Sequence, residues 1–469
     1  MNNNNNTTFY SSSTENKARK RSAIILTIAI VAIIVILAVA VISAIIPSEI
    51  HPKDEIRNNM QSEPFLKGTV SSYLRKWKLP SFEGSILDAV ESTFESYYYK
   101  DVPEERDIAI ITANIFLDNY YDTINLSDSD AVELALVDCM ISAIGDRYAY
   151  YRTAPETEDY QTNMSGNFVG IGVTVLRNDK EKTILVTGTE AGSPAELAGI
   201  LPGDYIIGVD GEAVSDIGAI SALDKIKGEV GTVVNVTLKR ADEEMTLSIT
   251  REKIIEKTVT YHLLENSSVA YVKISSFKSN TAEQFVQAID AITEAGAEAI
   301  IFDLRGNPGG YINAVRDMLS YLVPSDTKIA SFESLKANPN TSNIKEPLLA
   351  THGEGSKFEA DKDHVLAVPS VVLCDSSSAS GAELFSAGMQ DFDDMELLDC
   401  TVIGEVTFKK GVMQTTFTYT DNSTLTLTTH LYNPPSGENY NEIGVIPDVM
   451  LGDDTDYIIS ALELLGKTE

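Results

Sequence analysis

The sequence is poor in the residues that form disulfide frameworks and metal sites. Among its 469 residues there are 3 cysteines, 5 histidines and 1 tryptophan. The cysteines, Cys139, Cys374 and Cys400, are too few and too scattered for a disulfide scaffold or a zinc cage, and at most one pair could form.

Positive charge is also scarce. The chain carries 36 Lys and Arg against 69 Asp and Glu, a formal net charge of −33. Proteins that bind nucleic-acid backbones show clustered basic surface, so this balance excludes nucleic-acid binding as the main role and disfavours docking on anionic lipid. Hydrophobic residues make up 43% of the chain and charged residues 22%, so most of it can bury cores.

One long segment lacks charge altogether. Residues 22–46 are rich in Ile, Val and Ala, and as a helix they would extend about 37 Å, against about 30 Å for the hydrocarbon core of a bilayer. A cleavable signal peptide has a shorter apolar stretch, of about 7–15 residues. Because Lys17, Arg19, Lys20 and Arg21 precede the segment, we expect a cytoplasmic tail (1–21), a single-pass anchor in the cell membrane (22–46) and an extracytoplasmic body.

The remaining chain divides into three regions by pattern. Residues 47–165 are predicted to be helical, because apolar residues recur at three- and four-residue spacing. This region holds no reactive constellation, and we expect it to serve as scaffold or as the surface of a homodimer. Residues 166–255 contain short β-branched runs, and residues 256–469 alternate strands with helices.

The β-rich region resembles a PDZ domain. The resemblance rests on Gly170-Ile-Gly-Val and on the segment 192–211, GSPAELAGILPGDYIIGVDG. A glycine-rich loop before a strand presents backbone N–H groups that can hold a terminal carboxylate, and the strand edge can pair with a peptide. The resemblance implies that Gly170, Ile171, Gly172 and Val173 bind the free C-terminus of a protein or peptide.

Two loops of the last region lie where a reactive site is expected. Alternating strands and helices predict an α/β sheet with parallel pairs, and sites in such sheets lie at the carboxyl ends of strands. Residues 306–310 and 375–380 both follow a predicted strand. Ser380 would begin a helix, whose free N–H groups favour an oxyanion, and the Gly309-Gly310 turn could supply a second N–H.

The sequence offers no histidine in a recognisable catalytic motif. A Ser–His–Asp hydrolase using His430 or His364 is disfavoured, because no G-x-S-x-G elbow surrounds Ser380. A lysine can act as the base when burial lowers its pKa from about 10.4 by several units. A Ser–Lys pair is therefore a workable alternative.

Ordered segments over residues 145–450 resemble the carboxyl-terminal processing peptidases, serine proteases related to tail-specific protease that carry an embedded PDZ domain. The segments are 145–151, 166–172, the PDZ-like segment, 303–310, 378–383, 404–414, 432–437 and 444–448. The resemblance implies a multidomain fold of mixed α/β class. It would comprise the transmembrane helix (22–46), the helical region (47–165), the PDZ domain (166–255) and an α/β protease core (256–469).

The same resemblance assigns catalytic roles. The nucleophile falls on Ser380, in preference to Ser376, Ser377 and Ser378, because only that register aligns the helix that follows. The general base falls on Lys410, and Gln414 would orient its amine, since residues 410 and 414 share one face of a strand. The oxyanion donors would be the N–H groups of Gly381 and Gly310, with Gly309 as the rival to Gly310; Asp391 is expected to give structural support.

This chain departs from the family pattern beside the base. Lys409 stands where the family usually has glycine, so two lysines compete for the role. We prefer Lys410 and expect Lys409 to point to the other face of the strand. Cys374 is expected to be a buried apolar filler rather than a redox switch.

We expect a membrane-anchored serine endopeptidase that cleaves proteins near their C-termini, with the PDZ domain binding the substrate's end. A regulatory partner protein and a homodimer are compatible with the sequence. The alternative from another class is a catalytically inert envelope scaffold that recruits protein tails through the PDZ domain. No metal, cofactor or nucleic acid is called for.

Overall fold

The computed structural model describes residues 52–62, 68–82, 84–98, 100, 102–178, 181–333, 346–349, 365–452 and 455–467. Two compact units can be separated within them: one holds the chain up to Asp88 together with Glu104–Ala143, and the other holds Ala89–Pro103 together with the chain from Ile144 onward. In the part of the chain just given, no helix is long and apolar enough to cross a bilayer. The tail and anchor predicted for residues 1–46 lie outside it.

The first unit is helical. Its helices are α1 (Pro52–Ser62), α2 (Val70–Lys76), the start of α3 (Ile86–Tyr97), α4 (Glu105–Asn119) and α5 (Ser129–Ile144). Thr69 caps α2, because its Oγ1 accepts a hydrogen bond from the Ser72 N–H at 3.2 Å. Phe116 and Leu136 are fully buried on α4 and α5, so the apolar spacing seen in the sequence forms the core of this unit.

The second unit holds the rest of α3, continues from Ile144 with a short strand and a helix, and then forms the PDZ-like part. Its elements, in chain order, are β1 (Tyr150–Arg152), α6 (Ala154–Met164), β2 (Asn167–Gly170), β3 (Val173–Asn178), β4 (Thr183–Thr189), α7 (Pro194–Leu197), β5 (Tyr205–Val209), β6 (Glu212–Ala213), α8 (Val214–Ile217), α9 (Ala219–Ile226), β7 (Val233–Arg240), β8 (Glu243–Thr250) and β9 (Glu252–Ile255). The main sheet has the order β3-β4-β5-β7-β8, so β3 is an edge strand. Alternate residues of β7 (Val234, Val236 and Leu238) face the core, as expected for a half-buried strand.

The protease-like part is built on a sheet that is parallel except at one edge. Its six strands have the order β10-β11-β12-β15-β16-β19. They are β10 (Val259–Leu263), β11 (Val269–Ile274), β12 (Ala299–Asp303), β15 (Ser370–Cys374), β16 (Cys400–Gly404) and β19 (Val449–Met450). Every residue of β12 and β15 is buried, as expected for the central strands of a sheet covered on both faces.

Helices cover both faces of this sheet. They are α10 (Thr281–Glu294), α11 (Ile312–Leu322), α12 (Gly381–Asp394) and α13 (Tyr457–Leu464). Side chains of the first three, such as Phe285, Met318 and Phe385, form one core with the sheet, and Tyr457 and Ala461 of α13 form a second core on the opposite face. The chain turns from β12 and from β15 into helices, so residues 306–310 and 375–380 meet at one end of the sheet, as predicted.

A second sheet was not anticipated from the sequence. It contains β1, β13 (Lys328–Glu333), β14 (Glu346–Leu349), β17 (Val412–Thr418) and β18 (Thr424–Asn433). The long strand β18 pairs antiparallel with β17, β1 and β13. This sheet matters for the site, because β17 and the loop before it carry the two residues expected to act with Ser380.

Candidate active site

A cleft of about 450 Å³ lies where the two sheets meet. Ser380, Lys410, Gln414 and Gly310 all line it, although they come from three separate stretches of the chain. Among the described residues, no histidine lines this cleft. His430 lies instead with its Nδ1 at 2.8 Å from Thr429 Oγ1, and His364 is outside the described residues.

Ser380 occupies the turn between β15 and α12 in a strained conformation. Its φ of 54° and ψ of −110° are unusual for a residue with a side chain, and such strain is often held at functional sites. The neighbouring Ser378 is fully buried and donates from Oγ to Leu304 O at 2.9 Å, which makes it a structural residue. Ser376 and Ser377 are exposed in the turn and do not line the cleft.

A buried carboxylate connects the turn at Ser380 to the segment that carries the two lysines. Glu383 is completely inaccessible to solvent. Its Oε2 accepts hydrogen bonds from the Ser380 N–H at 2.7 Å and the Lys410 N–H at 2.9 Å. Its Oε1 accepts from Thr407 Oγ1 at 2.6 Å and from the Lys409 N–H at 2.7 Å. Sequence reasoning missed this role, although a Glu three residues after a serine that begins a helix is the signature of a capping box.

The environment of Lys410 favours a neutral amine. Burial lowers the pKa of its ammonium group, and Arg147 lowers it further, while the carboxylates of Glu383 and Asp146 act in the opposite direction. The Lys410 Nζ lies 4.6 Å from the centroid of the Tyr148 ring. The net effect is a lysine whose pKa is below its ordinary value, which is what a general base needs.

Lys409 differs from Lys410 in exposure and in backbone conformation. It is exposed, has a φ of 80°, and does not line the cleft. We expected Lys409 and Lys410 to point to opposite faces of a strand. Neither lysine lies on a strand, because β17 begins only at Val412, so strand alternation is not the reason for their difference. The family's glycine at this position is explained by the positive φ, which a residue without Cβ adopts easily.

We expected the side-chain amide of Gln414 to contact the amine of Lys410. The amide instead contacts two groups of the second sheet. Gln414 Nε2 lies 3.3 Å from Thr428 Oγ1 and 3.4 Å from Val412 O. A register shift between Met413 and Gln414 interrupts the alternation of β17, so residues 410 and 414 do not share a face by simple strand periodicity. Gln414 nevertheless lines the same cleft as Lys410.

The glycine turn places one free N–H group at the cleft. The Gly309 N–H donates to Asn307 Oδ1 at 2.8 Å, so it is already engaged. Gly310 lines the cleft, and within the described residues its N–H donates to no protein acceptor. A Cβ on Gly310 would lie 2.0 Å from Phe277 O, and one on Gly309 would lie 2.9 Å from the Gly381 N. Both glycines are therefore needed for this close approach, and the free donor favours Gly310 over Gly309.

Two further residues support the site from the sides. Tyr432 is 1% exposed, and its hydroxyl donates to Lys410 O at 2.9 Å; sequence reasoning did not single it out. Asp391 lies outside the cleft and accepts the Ser436 N–H at 2.7 Å, which holds the loop after β18. Burial raises the pKa of its carboxyl group. These contacts agree with a structural role for Asp391.

Comparison with known proteins shows the family. Residues 268–451 match peptidase family S41, and residues 185–240 match the PDZ domain. A "Probable CtpA-like serine protease" of Staphylococcus aureus (strain COL) is 30% identical over 81% of this chain and 73% of its own length. The chain belongs to the CtpA-like serine proteases of family S41.

Other relatives agree with this assignment. The carboxy-terminal processing protease CtpA of Bacillus subtilis (strain 168) is 32% identical over 69% of this chain, and the match spans 64% of that protein's length, less than two thirds. A crystal structure from Bacteroides fragilis NCTC 9343 that is assigned to the S41 proteases is 14% identical over 83% of this chain and all of its own, with a TM-score of 0.50. At that identity the likeness concerns the fold alone.

The PDZ part of this S41 chain has a cavity of its own, of about 430 Å³. Gly170, Ile171, Gly172 and Val173 all line it, as expected for a peptide-binding loop, and none of them lines the active cleft. Two ion pairs border this cavity: Lys227 lies 2.8 Å from Asp159, and Lys278 lies 2.6 Å from Glu256. The predicted peptide-binding and catalytic residues therefore line two separate cavities of the second unit.

The cysteines of this CtpA-like chain are all buried and unpaired. Burial raises the pKa of each thiol to about 12. A thiol with so high a pKa is a poor nucleophile, because the thiolate is the reactive form. Within the described residues, no cluster of three or more His, Cys, Asp or Glu side chains could hold a metal ion.

Proposed function

We propose that this chain is a membrane-anchored serine endopeptidase that cleaves proteins near their C-termini through a Ser380–Lys410 dyad. The observation that carries the proposal is the meeting of Ser380, Lys410 and Gly310 in one cleft, with burial holding the pKa of the lysine down. Family membership supports the reaction class, and the Bacillus relative is named a carboxy-terminal processing protease.

In the proposed reaction, Ser380 Oγ attacks the peptide carbonyl carbon while neutral Lys410 takes the hydroxyl proton. The N–H groups of Gly381 and Gly310 stabilise the oxyanion. Protonated Lys410 then gives its proton to the leaving amine, which breaks the peptide bond and leaves an acyl-enzyme. Water then attacks the ester carbonyl while neutral Lys410 takes a proton from it. Lys410 returns that proton to Ser380 Oγ as the acyl group leaves.

The PDZ cavity supplies the proposed end-recognition. The four residues of its glycine-rich loop line a groove that includes the edge strand β3, which suits an added peptide strand. A bound C-terminus would bring the adjoining segment within reach of the protease part. The anchor at residues 22–46, with its preceding basic cluster, supports an extracytoplasmic location for both cavities.

The test is cleavage of an unstructured peptide with a free apolar C-terminus by the full chain in detergent micelles. Ser380→Ala and Lys410→Ala are expected to abolish cleavage, and Lys409→Ala is expected to retain it. Cleavage that persists in Ser380→Ala would show a different site or a contaminant. No cleavage by any variant, combined with binding of the peptide, would favour the inert scaffold instead.

A further inference from the structure

The wall of the active cleft has a charge opposite to that of the chain. The protein carries a net charge of −33, yet the described residues that line the cleft include Arg147 and Lys410 and no Asp or Glu. Burial favours the neutral form of Lys410. Because a guanidinium stays protonated throughout the physiological range, Arg147 is the one permanent charge on the described part of the wall.

The Arg147 guanidinium is held in place by an aromatic ring. Its central carbon lies 4.6 Å from the centroid of the Tyr148 ring, and Nη2 donates to the Tyr148 hydroxyl. These contacts use few of the five N–H donors of a guanidinium. The residue is exposed, and none of the ion pairs formed among the described residues includes it.

The two carboxylates that act on Lys410, those of Asp146 and Glu383, already accept hydrogen bonds from other groups. Asp146 is 7% exposed and accepts hydrogen bonds from the Tyr148 N–H at 3.0 Å and from the N–H and Oγ1 of Thr428 at 2.9 and 3.1 Å. Glu383 is buried and accepts the four hydrogen bonds described above. Both therefore face inward to the protein, and neither pairs with Arg147.

A second guanidinium lies behind the wall. Arg152 lies 3.8 Å from the ring centroid of Tyr150 and 3.7 Å from that of Tyr160, and both tyrosines line the cleft. Its Nη1 is buried and has no hydrogen-bond partner among the described residues. A cation stacked on the rings that line the cleft adds to the positive potential there.

We propose that Arg147 determines specificity by binding a carboxylate of the peptide substrate near the cleaved bond. The inference rests on the proposed protease function and adds a feature of its substrate. An Arg–carboxylate pair is bidentate and directional, so it can fix the register of a peptide beside Ser380. The carboxylate comes either from an Asp or Glu side chain or from the C-terminus of a short leaving segment.

The experiment compares matched peptides with the full chain in detergent micelles. A parent peptide is cleaved, and its cleavage site is located by mass spectrometry. Variants then place Glu or Gln at each position flanking that bond, with the C-terminus as free acid or as amide. The readout is the ratio of kcat/KM for Glu and Gln peptides, and for acid and amide, within one enzyme. A general change in activity, including one caused by a shift in the Lys410 pKa, cancels in this ratio.

The wild type is expected to favour the carboxylate by about tenfold at one position, the size of one charge-assisted hydrogen bond. Arg147→Gln is expected to bring that ratio to about one, since the amide carries no charge. The matched control, Lys239→Gln, removes a positive charge from an exposed strand position outside both cavities and is expected to leave the ratio unchanged. Which of the two peptide series carries the preference identifies the source of the carboxylate.

A wild-type ratio of one in every series overturns the proposal, as does a preference that survives in Arg147→Gln. The latter result would assign the preference to the PDZ cavity. Should Arg147→Gln lose all activity, Arg147→Lys is measured instead; it keeps the charge without the planar fork, and an unchanged ratio overturns the proposal. Failure of the protease function itself would look different, because no peptide would be cut in a manner that depends on Ser380.

Discussion

The four hydrogen bonds that the buried Glu383 carboxylate accepts give the sharpest prediction about stability. In Glu383→Gln, one carboxylate oxygen becomes an NH₂ group, which cannot accept a hydrogen bond. If the NH₂ replaced Oε2, both the Ser380 and Lys410 N–H groups would lose their acceptor. If it replaced Oε1, the Lys409 N–H would lose its acceptor, and the Thr407 hydroxyl could accept from the NH₂ group only by turning its own proton away from its present acceptor. The second orientation is therefore expected, because it keeps the shared acceptor of the Ser380 and Lys410 N–H groups and gains a hydrogen bond to the Thr407 oxygen.

An unsatisfied buried donor costs about 1–3 kcal/mol, and we expect Glu383→Gln to lower the free energy of unfolding by at least that amount. Glu383→Ala removes the acceptor of three N–H groups and one hydroxyl, so it should cost at least about twice as much. Both are measured by urea denaturation in a Ser380→Ala background, which prevents self-digestion. Glu294→Gln, at an exposed position near the end of α10, is the control. The reasoning is refuted if Glu383→Gln matches that control, or if the alanine variant is no worse than the glutamine variant.

Three further predictions concern the lysines and the glycine turn. Lys409→Gly should raise the free energy of unfolding by about 1 kcal/mol in urea denaturation and keep the protease active, because it relieves a φ of 80°; a loss of stability would contradict this. The rate of cleavage should rise with pH, with a midpoint below the ordinary pKa of lysine, because Lys410 must be neutral to act as base. In Arg147→Gln that midpoint should move to higher pH, since a cation that lowers the Lys410 pKa is removed, and in Lys239→Gln it should not move. Gly310→Ala should lower kcat by about 10²–10³-fold, because a Cβ 2.0 Å from Phe277 O displaces the turn and with it the oxyanion donor, and Gly437→Ala, where a Cβ meets nothing within 4 Å, should not.

The sequence was most informative where a site is formed by local structure. The Ser380 turn and the Gly309-Gly310 turn each follow a buried strand, and parallel strands carry their ends to one edge, so their meeting could be predicted. Lys410 could not be found this way. It reaches the cleft from a loop before β17 in a second, antiparallel sheet, and only the resemblance to a known family indicated it.

The contacts that sequence reasoning missed link residues far apart in the chain. Glu383 joins α12 to the loop at 407–410, and Asp146 joins the start of the second unit to Thr428 on β18. Such contacts depend on how the two sheets pack against each other. The spacing of apolar residues along one helix or strand does not predict that packing. The same limit applies to the argument for Gln414, because a bulge in β17 breaks the strand alternation from which its orientation was predicted.

The hydrogen bonds of Glu383 also bear on how Lys410 could be held in place as the proposed base. A lysine side chain is long and flexible, and a neutral amine makes few strong contacts that could hold it. In this chain the backbone of Lys410 is fixed at both of its polar groups, because its N–H donates to Glu383 and its carbonyl accepts from Tyr432. The same carboxylate oxygen accepts from the Ser380 N–H. One buried group thus holds the backbone of both the proposed nucleophile and the proposed base, so a change at Glu383 should disturb the spacing of the pair before it changes either residue's chemistry.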